Sequence, residues 1–116
     1  MGITLRPSQA LKLWHGVTLE TVRDGTQDLS ARQMVILLTV YLEMPPHTVR
    51  DLAKKLGVTK PAITRALDTM GAMKLLTRKR DEADRRNVII QRTVEGALYL
   101  ERLGDTIVDV AQDLHR

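Results

Sequence analysis

The sequence TVRDLAKKLGVTKPAITRALDTMG, from Thr48 to Gly71, contains the clearest fold signal in this chain. Thr48 and Thr59 each stand where a side-chain oxygen can cap the N-terminus of a helix. Gly57 falls where the first helix needs a left-handed residue to end. Pro61 lies in the first turn of the second helix, where a missing N–H is no loss. The stretch therefore predicts two short helices joined by a sharp turn, a helix-turn-helix.

The second of these helices has one apolar and one polar face. Apolar residues recur at spacings of three and four, which predicts the buried face. They are Ala62, Ile63, Ala66, Leu67 and Met70. The polar face consists of Lys60, Pro61, Thr64, Arg65, Asp68 and Thr69. Such a mostly short surface fits a DNA major groove, where an arginine can hydrogen-bond guanine. For this stretch taken alone, a helical hairpin with a solvated polar face is the alternative.

Length and composition limit the classes of protein that the chain can be. Its 116 residues allow one domain with a substantial core. There is no cysteine, which excludes disulfides, zinc fingers and thiol-based redox sensing within this chain. No run approaches the roughly 18 apolar residues that a membrane span needs. We therefore expect a cytoplasmic protein.

The positive charge is concentrated in one segment. The net charge is +4, and residues 59–93 hold nine basic and four acidic residues, so the remaining chain is slightly negative. A basic segment that includes the polar helix face is typical of a surface that binds phosphates.

The segment after the helix-turn-helix predicts a β-hairpin. Residues 73–77 and 88–91 are apolar runs that predict two short strands, and the charged run TRKRDEADRRN lies between them. A charged hairpin that follows a helix-turn-helix is a wing. The expected fold class is thus mostly α with a small β-hairpin wing, a winged helix-turn-helix. A disordered loop is the alternative, but it leaves the two apolar runs unexplained.

Helices are predicted at both ends of the chain. The first begins near Pro7, stops near Gly25 and is apolar on two sides, which usually means two partners. The last is capped by Thr93 and carries apolar residues at the 3, 4, 3, 4 spacing of a coiled-coil seam. We expect both helices to form a dimer interface. The expected dimerisation residues are Leu11, Trp14, Leu100, Leu103, Ile107, Val110 and Leu114.

Between them a further helix is expected to begin at Ser30, with Gln33 completing a capping box, and to end before Pro45. It is predicted to be mostly buried through Val35, Ile36, Leu38, Val40 and Leu42. We expect a single domain over residues 1–116, with a winged helix-turn-helix core at 28–93 and dimerisation helices at 1–27 and 94–116.

With the wing in place, residues 28–98 resemble the MarR (multiple antibiotic resistance regulator) family of bacterial winged-helix repressors. The most specific part is DEADRRNVIIQRTVEG, which is similar to the family's Asp-x-Arg, alternating apolar residues and Thr-x-x-Gly helix start. Asp84 and Arg86 match the Asp-x-Arg pair. The resemblance implies that Asp84 orients Arg86, which reaches into the minor groove, with Arg85 as the adjacent candidate for that groove or a phosphate.

The sequence departs from the family pattern in two respects. Arg92 stands where the family usually has an apolar residue, and there is one terminal helix where the family often has two. The resemblance also allows a small-molecule effector pocket, for which Trp14, His15 and Tyr41 are candidates. Such residues are more often core or interface side chains, so the effector has no support of its own.

The expected function is that of a homodimeric, sequence-specific DNA-binding transcription regulator, a repressor by resemblance, on a pseudo-palindromic site. The expected DNA-binding residues are Thr48, Thr59, Lys60, Pro61, Thr64, Arg65, Arg78, Lys79, Arg80, Asp84, Arg85 and Arg86. The expected partners are double-stranded DNA, with the protein then on the nucleoid, and a second copy of the chain. A winged helix used for protein docking, or an architectural DNA binder without strong sequence preference, is the alternative.

No enzyme is expected. The sequence lacks a His-x-x-x-His ligand pair, a glycine-rich phosphate loop and a Gly-x-Ser-x-Gly elbow. Its acidic cluster lies in the wing, where orienting arginines is the simpler use. Neither a metal nor a cofactor is expected.

Overall fold

The computed structural model describes residues 2–25 and 27–115. The helices are α1 (Pro7–Arg23), α2 (Ala31–Leu42), α3 (Val49–Leu56), α4 (Lys60–Ala72) and α5 (Val94–Gln112), followed by a 3₁₀ turn at Asp113–His115. The strands are β1 (His47–Thr48), β2 (Leu76–Arg80) and β3 (Val88–Arg92). The chain forms two compact units, one from residues up to Asp28 together with those from Leu100 onward, the other from Leu29–Tyr99.

The α3–α4 pair has the caps that the sequence predicts. Thr48 Oγ1 accepts a hydrogen bond from the amide of Asp51 at 3.0 Å. Gly57 ends α3 with φ 68° and ψ 34°, left-handed angles at which a side chain is disfavoured. Thr59 Oγ1 accepts from the amide of Ala62 at 3.3 Å and so starts α4. The predicted helix-turn-helix is confirmed.

The core of the Leu29–Tyr99 unit is built on α4, which packs against α2, α3 and β2. All five residues predicted for its inner face are buried. They meet buried residues of α2, α3 and the sheet, namely Ile36, Leu37, Val40, Leu52, Ala53, Leu76 and Ile90. Burying each large aliphatic side chain contributes about 1.5–3 kcal/mol, so this single cluster holds α4 in place.

The predicted buried face of α2 is only partly correct. Ser30 and Gln33 form the expected capping box, and Ile36 and Val40 are buried. Val35 and Leu42, however, are 44% and 76% exposed. Leu37, absent from the prediction, is completely buried. The helix is apolar nearly all round, so its sequence could not show which side would face α4.

The sheet is antiparallel with strand order β1–β3–β2. The wing is confirmed, but β2 begins three residues later than predicted and takes up residues 77–80 of the charged run. Pairing of Leu76 with Arg92 and of Arg80 with Val88 sets this register. Lys74, just before the strand, has a left-handed backbone conformation with φ 64°. β1 is absent from the prediction because a strand of two residues has no detectable periodicity.

In the other unit, the two terminal helices meet. Gly16 of α1 lies against the side chain of Val110 of α5, and Val17 is buried at 5% exposure. The helix over Pro7–Arg23 and its end at Asp24 agree with the prediction. Among the residues described, no helix is both long and apolar enough to cross a membrane.

Candidate nucleic-acid interface

The outer face of α4 is fully accessible. The six residues predicted for it, Lys60, Pro61, Thr64, Arg65, Asp68 and Thr69, are all exposed. The Arg65 guanidinium has no hydrogen bond or ion pair with any other described residue, so its donors are available to a ligand. Thr48 and Thr59 act as helix caps, which fixes the two helices that carry this face.

Residues 81–87 form a tight loop at the tip of the wing. The amide of Asp81 donates to the carbonyl of Asn87 at 3.0 Å, and the amide of Asn87 donates to the carbonyl of Asp84 at 2.9 Å. Arg80, at the end of β2, donates from Nη1 to the carbonyl of Arg85 at 3.0 Å. The tip is therefore closed by its own backbone and is anchored to β2.

Asp84 and Arg86 form a bidentate pair at this tip. Arg86 Nε donates to Asp84 Oδ1 at 3.0 Å, Nη2 donates to Oδ2 at 3.2 Å, and the backbone amide of Arg86 also reaches Oδ1 at 3.2 Å. These hydrogen bonds are the main reason why the pKa of Asp84 lies below its usual range, and the positive charge of Arg50 adds to the effect. The Arg86 side chain is nevertheless 85% exposed. The pair therefore fixes the orientation of the Arg86 guanidinium without burying it.

A second ion pair joins the wing to α4. Arg78 Nη2 lies 2.7 Å from Asp68 Oδ1, with the two side chains 35% and 60% exposed. Asp68 follows Arg65 by three residues and so lies on the same face of the helix. The outer face of α4 and the first strand of the wing are thus side by side on one surface.

Lys79 is the predicted contact residue that lies apart from this surface. Side chains alternate along a strand, so Lys79 points to the opposite face of β2 from Arg78. There it lines an open recess of about 740 Å³ together with Pro45, Pro46 and Gln91.

Two arginines near this surface are absent from the DNA-binding residues that the sequence predicted. Arg50, in the first turn of α3, is close enough to the wing for its charge to lower the pKa of Asp84. Arg32, in the first turn of α2, lines a recess of about 170 Å³ with Arg65. Both lie outside the basic segment 59–93, and only the tertiary structure brings them to it.

Tyr41 and Arg92 have structural partners. Tyr41 Oη donates to the carbonyl of Thr93 at 2.7 Å and accepts from its amide at 2.9 Å. Arg92 Nε donates to the carbonyl of Val40 at 3.0 Å, and its guanidinium lies 5.5 Å from the centre of the Tyr41 ring. A cation over an aromatic face explains how an arginine occupies an apolar position of the family pattern. Trp14 and His15 are exposed on α1.

Within the described part of the chain, no group of three or more His, Cys, Asp or Glu side chains could hold a metal ion. What the surface around α4 and the wing offers is free cationic donors, which suits an extended polyanion.

The family model of MarR regulators matches residues 29–88, about half of the chain. The chain belongs to the MarR family. Family membership confirms the expected class, that of transcription regulators and not of enzymes. The match ends at Val88 and so includes the Asp84 and Arg86 pair that carries the resemblance in sequence.

Individual relatives agree with this assignment. The chain is 38% identical over 73 residues to the organic hydroperoxide resistance transcriptional regulator of Bacillus subtilis strain 168. The matched residues make up 63% of this chain and 49% of that protein. The chain thus spans about half the length of the curated relative that it matches. A structure of an S. aureus MepR mutant superposes with TM-score 0.74 at 21% identity, covering 96% of this chain and 83% of that one. The MepR structure confirms the winged-helix fold of this MarR-family chain.

Some of the similar structures contain nucleic acid. The transcriptional repressor CouR, bound to a 23-mer DNA duplex, has TM-score 0.70 and 25% identity, with coverage of 90% of this chain and 70% of that chain.

Proposed function

We propose that this MarR-family chain is a homodimeric, sequence-specific DNA-binding transcription regulator that acts as a repressor. In this proposal α4 is the recognition helix and enters the major groove, where Arg65 hydrogen-bonds guanine. Arg86, with Arg85 beside it, enters the adjacent minor groove from the wing. The observation that carries the proposal is the placement of the free Arg65 donors and the aimed Arg86 on elements joined by the Asp68–Arg78 pair.

The electrostatics support DNA as the partner. The negative potential of a narrow minor groove attracts arginine, and an arginine already held by a carboxylate loses little side-chain freedom on entering it. The basic residues of the wing and α4, together with Arg32 and Arg50, supply the charge that displaces counterions from phosphates. The DNA-bound relative CouR, itself a repressor, supports the same use of this fold.

The homodimer is supported by apolar surface in the unit that α1 and the end of α5 form. Leu11 and Trp14 are 70% and 67% exposed, and Ile107 is 40% exposed. Exposed apolar side chains on adjoining helices mark an interaction surface. A second copy with the same seam covers it by two-fold symmetry. The remaining predicted interface residues, Leu100, Leu103, Val110 and Leu114, are partly buried along the same helix and its end.

A two-fold dimer implies a pseudo-palindromic operator. The two recognition helices would enter successive major grooves, so the half-site centres should be about 10 base pairs apart, or a multiple of that. Repression then follows from occupancy, because a bound dimer excludes polymerase from the same DNA. In this proposal the protein is cytoplasmic and lies on the nucleoid when bound.

The test is a pull-down of fragmented genomic DNA at near-physiological salt, with sequencing of the retained fragments. The wild type is compared with Arg65→Ala and with Arg102→Ala, a control that removes the same charge from an exposed position on α5. We expect the wild type and the control to enrich one two-fold motif. Arg65→Ala should lose about 1–3 kcal/mol of specific binding and with it the motif.

Uniform enrichment by all three proteins would contradict sequence-specific binding and favour an architectural role. The absence of any enrichment would favour the protein-docking alternative.

A further inference from the structure

We propose that the Asp68–Arg78 ion pair is a positioning device that fixes the wing relative to the recognition helix and thereby sets sequence specificity. This inference rests on the proposed function, because it concerns how the two DNA-contacting elements are held together. Arg78 is one of the residues expected to contact DNA, but its guanidinium is already engaged by the carboxylate on α4.

The pair is the middle one of three attachments along one face of β2. Residues 76, 78 and 80 alternate onto the same face of the strand. Leu76 is 2% exposed in the core, Arg78 reaches Asp68 on α4, and Arg80 reaches the carbonyl of Arg85 at the wing tip. The strand is therefore fixed in turn to the core, to the recognition helix and to the tip that carries Arg86.

The charge of Asp68 is otherwise unfavourable at this place. A carboxylate on a helix face that approaches phosphates repels them and weakens binding to any duplex. The pair also adds little to folding, since exposed ion pairs contribute small amounts of stability. What an acidic residue here can supply is alignment, because Arg78 is held at 2.7 Å and in one direction.

Alignment matters because two grooves must be occupied at once. If β2 could move relative to α4, Arg86 would be misplaced when α4 lay in the major groove. Likewise, α4 would be misplaced when Arg86 lay in the minor groove. Only the specific complex needs both contacts, since non-specific binding depends on charge and tolerates many orientations. Loss of the pair should therefore lower specific binding alone.

Simple electrostatics and positioning predict opposite changes in affinity for the specific duplex when the charge of Asp68 is removed, and the test uses this difference. Asp68→Asn removes one negative charge, so simple electrostatics predicts tighter binding to every duplex. Positioning predicts weaker binding to the duplex that the wild type enriches most from a random pool, and equal or tighter binding to a scrambled duplex of the same composition. We expect the specific-to-scrambled affinity ratio, measured by fluorescence anisotropy, to fall about tenfold, the size of one misplaced base contact.

Matched variants separate positioning from charge and from folding. Glu101→Gln removes the same charge from an exposed residue of α5 that has no ion pair with any described residue. It should shift both affinities alike and leave their ratio unchanged. Asp68→Glu keeps a carboxylate and should recover most of the ratio. Arg78→Gln should lower the ratio, and adding Asp68→Asn to it should lower the ratio no further. Thermal melting should be nearly the same for all of these proteins.

If Asp68→Asn keeps or raises the ratio while the wild type discriminates between the duplexes, the positioning role is wrong and the proposed function stands. If the wild type itself does not discriminate, the proposed function fails and this inference fails with it.

Discussion

The guanidinium of Arg86 is held along one edge by two carboxylate oxygens while most of the side chain stays in solvent. A free arginine has up to about 2 kcal/mol of side-chain conformational entropy to lose when it is immobilised in a groove. If Arg86 enters the minor groove as proposed, its pairing with Asp84 has already met part of this entropy cost before DNA is bound. The sequence could predict the residue types of this pair, but not the third hydrogen bond, which the turn at residues 84–86 supplies through the backbone amide of Arg86.

The lowered pKa of Asp84 gives a test of this pair in the free protein. Since Arg86 is the main cause, Arg86→Ala should raise the Asp84 pKa toward its ordinary value, whereas Arg85→Ala should leave it nearly unchanged. Carbonyl ¹³C chemical shifts followed by NMR during acid titration measure both. An unchanged pKa in Arg86→Ala would show that the bidentate contact is not kept in solution.

The same shift sets the pH range in which the pair exists. A carboxyl whose pKa is lowered on folding stabilises the folded state above its unfolded pKa, and this contribution is lost as the pH falls through the folded value. For Asp84 that loss lies below about pH 4, where aspartate normally titrates. Asp84 therefore stays paired with Arg86 throughout the neutral pH range, and the pair is not a sensor of physiological pH.

At the scale of elements, α5 begins at a close junction. The Gly96 amide donates to Thr93 Oγ1 at 2.9 Å, and a side chain on Gly96 would collide with the Leu75 carbonyl and the Tyr41 hydroxyl. Two of the neighbouring atoms thus belong to the hydrogen bonds that fix the end of β3. This explains physically why a glycine stands three residues after the capping threonine.

Gly96→Ala should therefore destabilise the protein by about 1–3 kcal/mol, because backbone or Tyr41 must move to admit the methyl group. Gly71→Ala is the matched control, since nothing lies within 4 Å of a Cβ at that position in α4. It should be neutral or stabilise by up to about 1 kcal/mol, since alanine favours the helix. Urea denaturation of both variants measures the difference, and equal stability would rule out the crowded junction.

The elements that the sequence predicted well are those with a local signal. Caps at Ser30, Thr48 and Thr59 and the spacing along α4 place three helices correctly, because each depends on neighbours a few residues away. The bounds of β2 and the existence of β1 depend on pairing with β3, which is distant in sequence. The Asp68–Arg78 contact also spans an element boundary, so it had no signal in either segment alone.

At the scale of the whole molecule, the exposed apolar residues of α1 carry the proposed dimer. Leu11, inside α1, and Leu42, at the end of α2, provide a matched pair. Both are helical leucines, and they are 70% and 76% exposed. Only Leu11 lies in the expected dimer interface. The sequence alone identified the seam by its spacing, whereas the exposed fraction of each residue required the packed structure.

Leu11→Lys should weaken the dimer at least about tenfold, because each interface then buries two charged groups in place of two apolar ones. Leu42→Lys should leave the dimer unchanged. Sedimentation equilibrium over a range of protein concentrations measures both. Equal behaviour of the two variants, or a wild type that is monomeric at every concentration, would contradict the proposed interface.

The strand order β1–β3–β2 has a consequence for solubility. β3 is paired on both sides, so the free edges of the sheet are the two-residue β1 and the outer side of β2. An open edge can recruit strands from other molecules and start aggregation, and lysine-rich or very short edge strands discourage this. β2 carries three consecutive cations, Arg78, Lys79 and Arg80. In the proposed function, the charges that bind DNA have a second effect in the free protein, because they disfavour edge-to-edge pairing between the wings of different molecules.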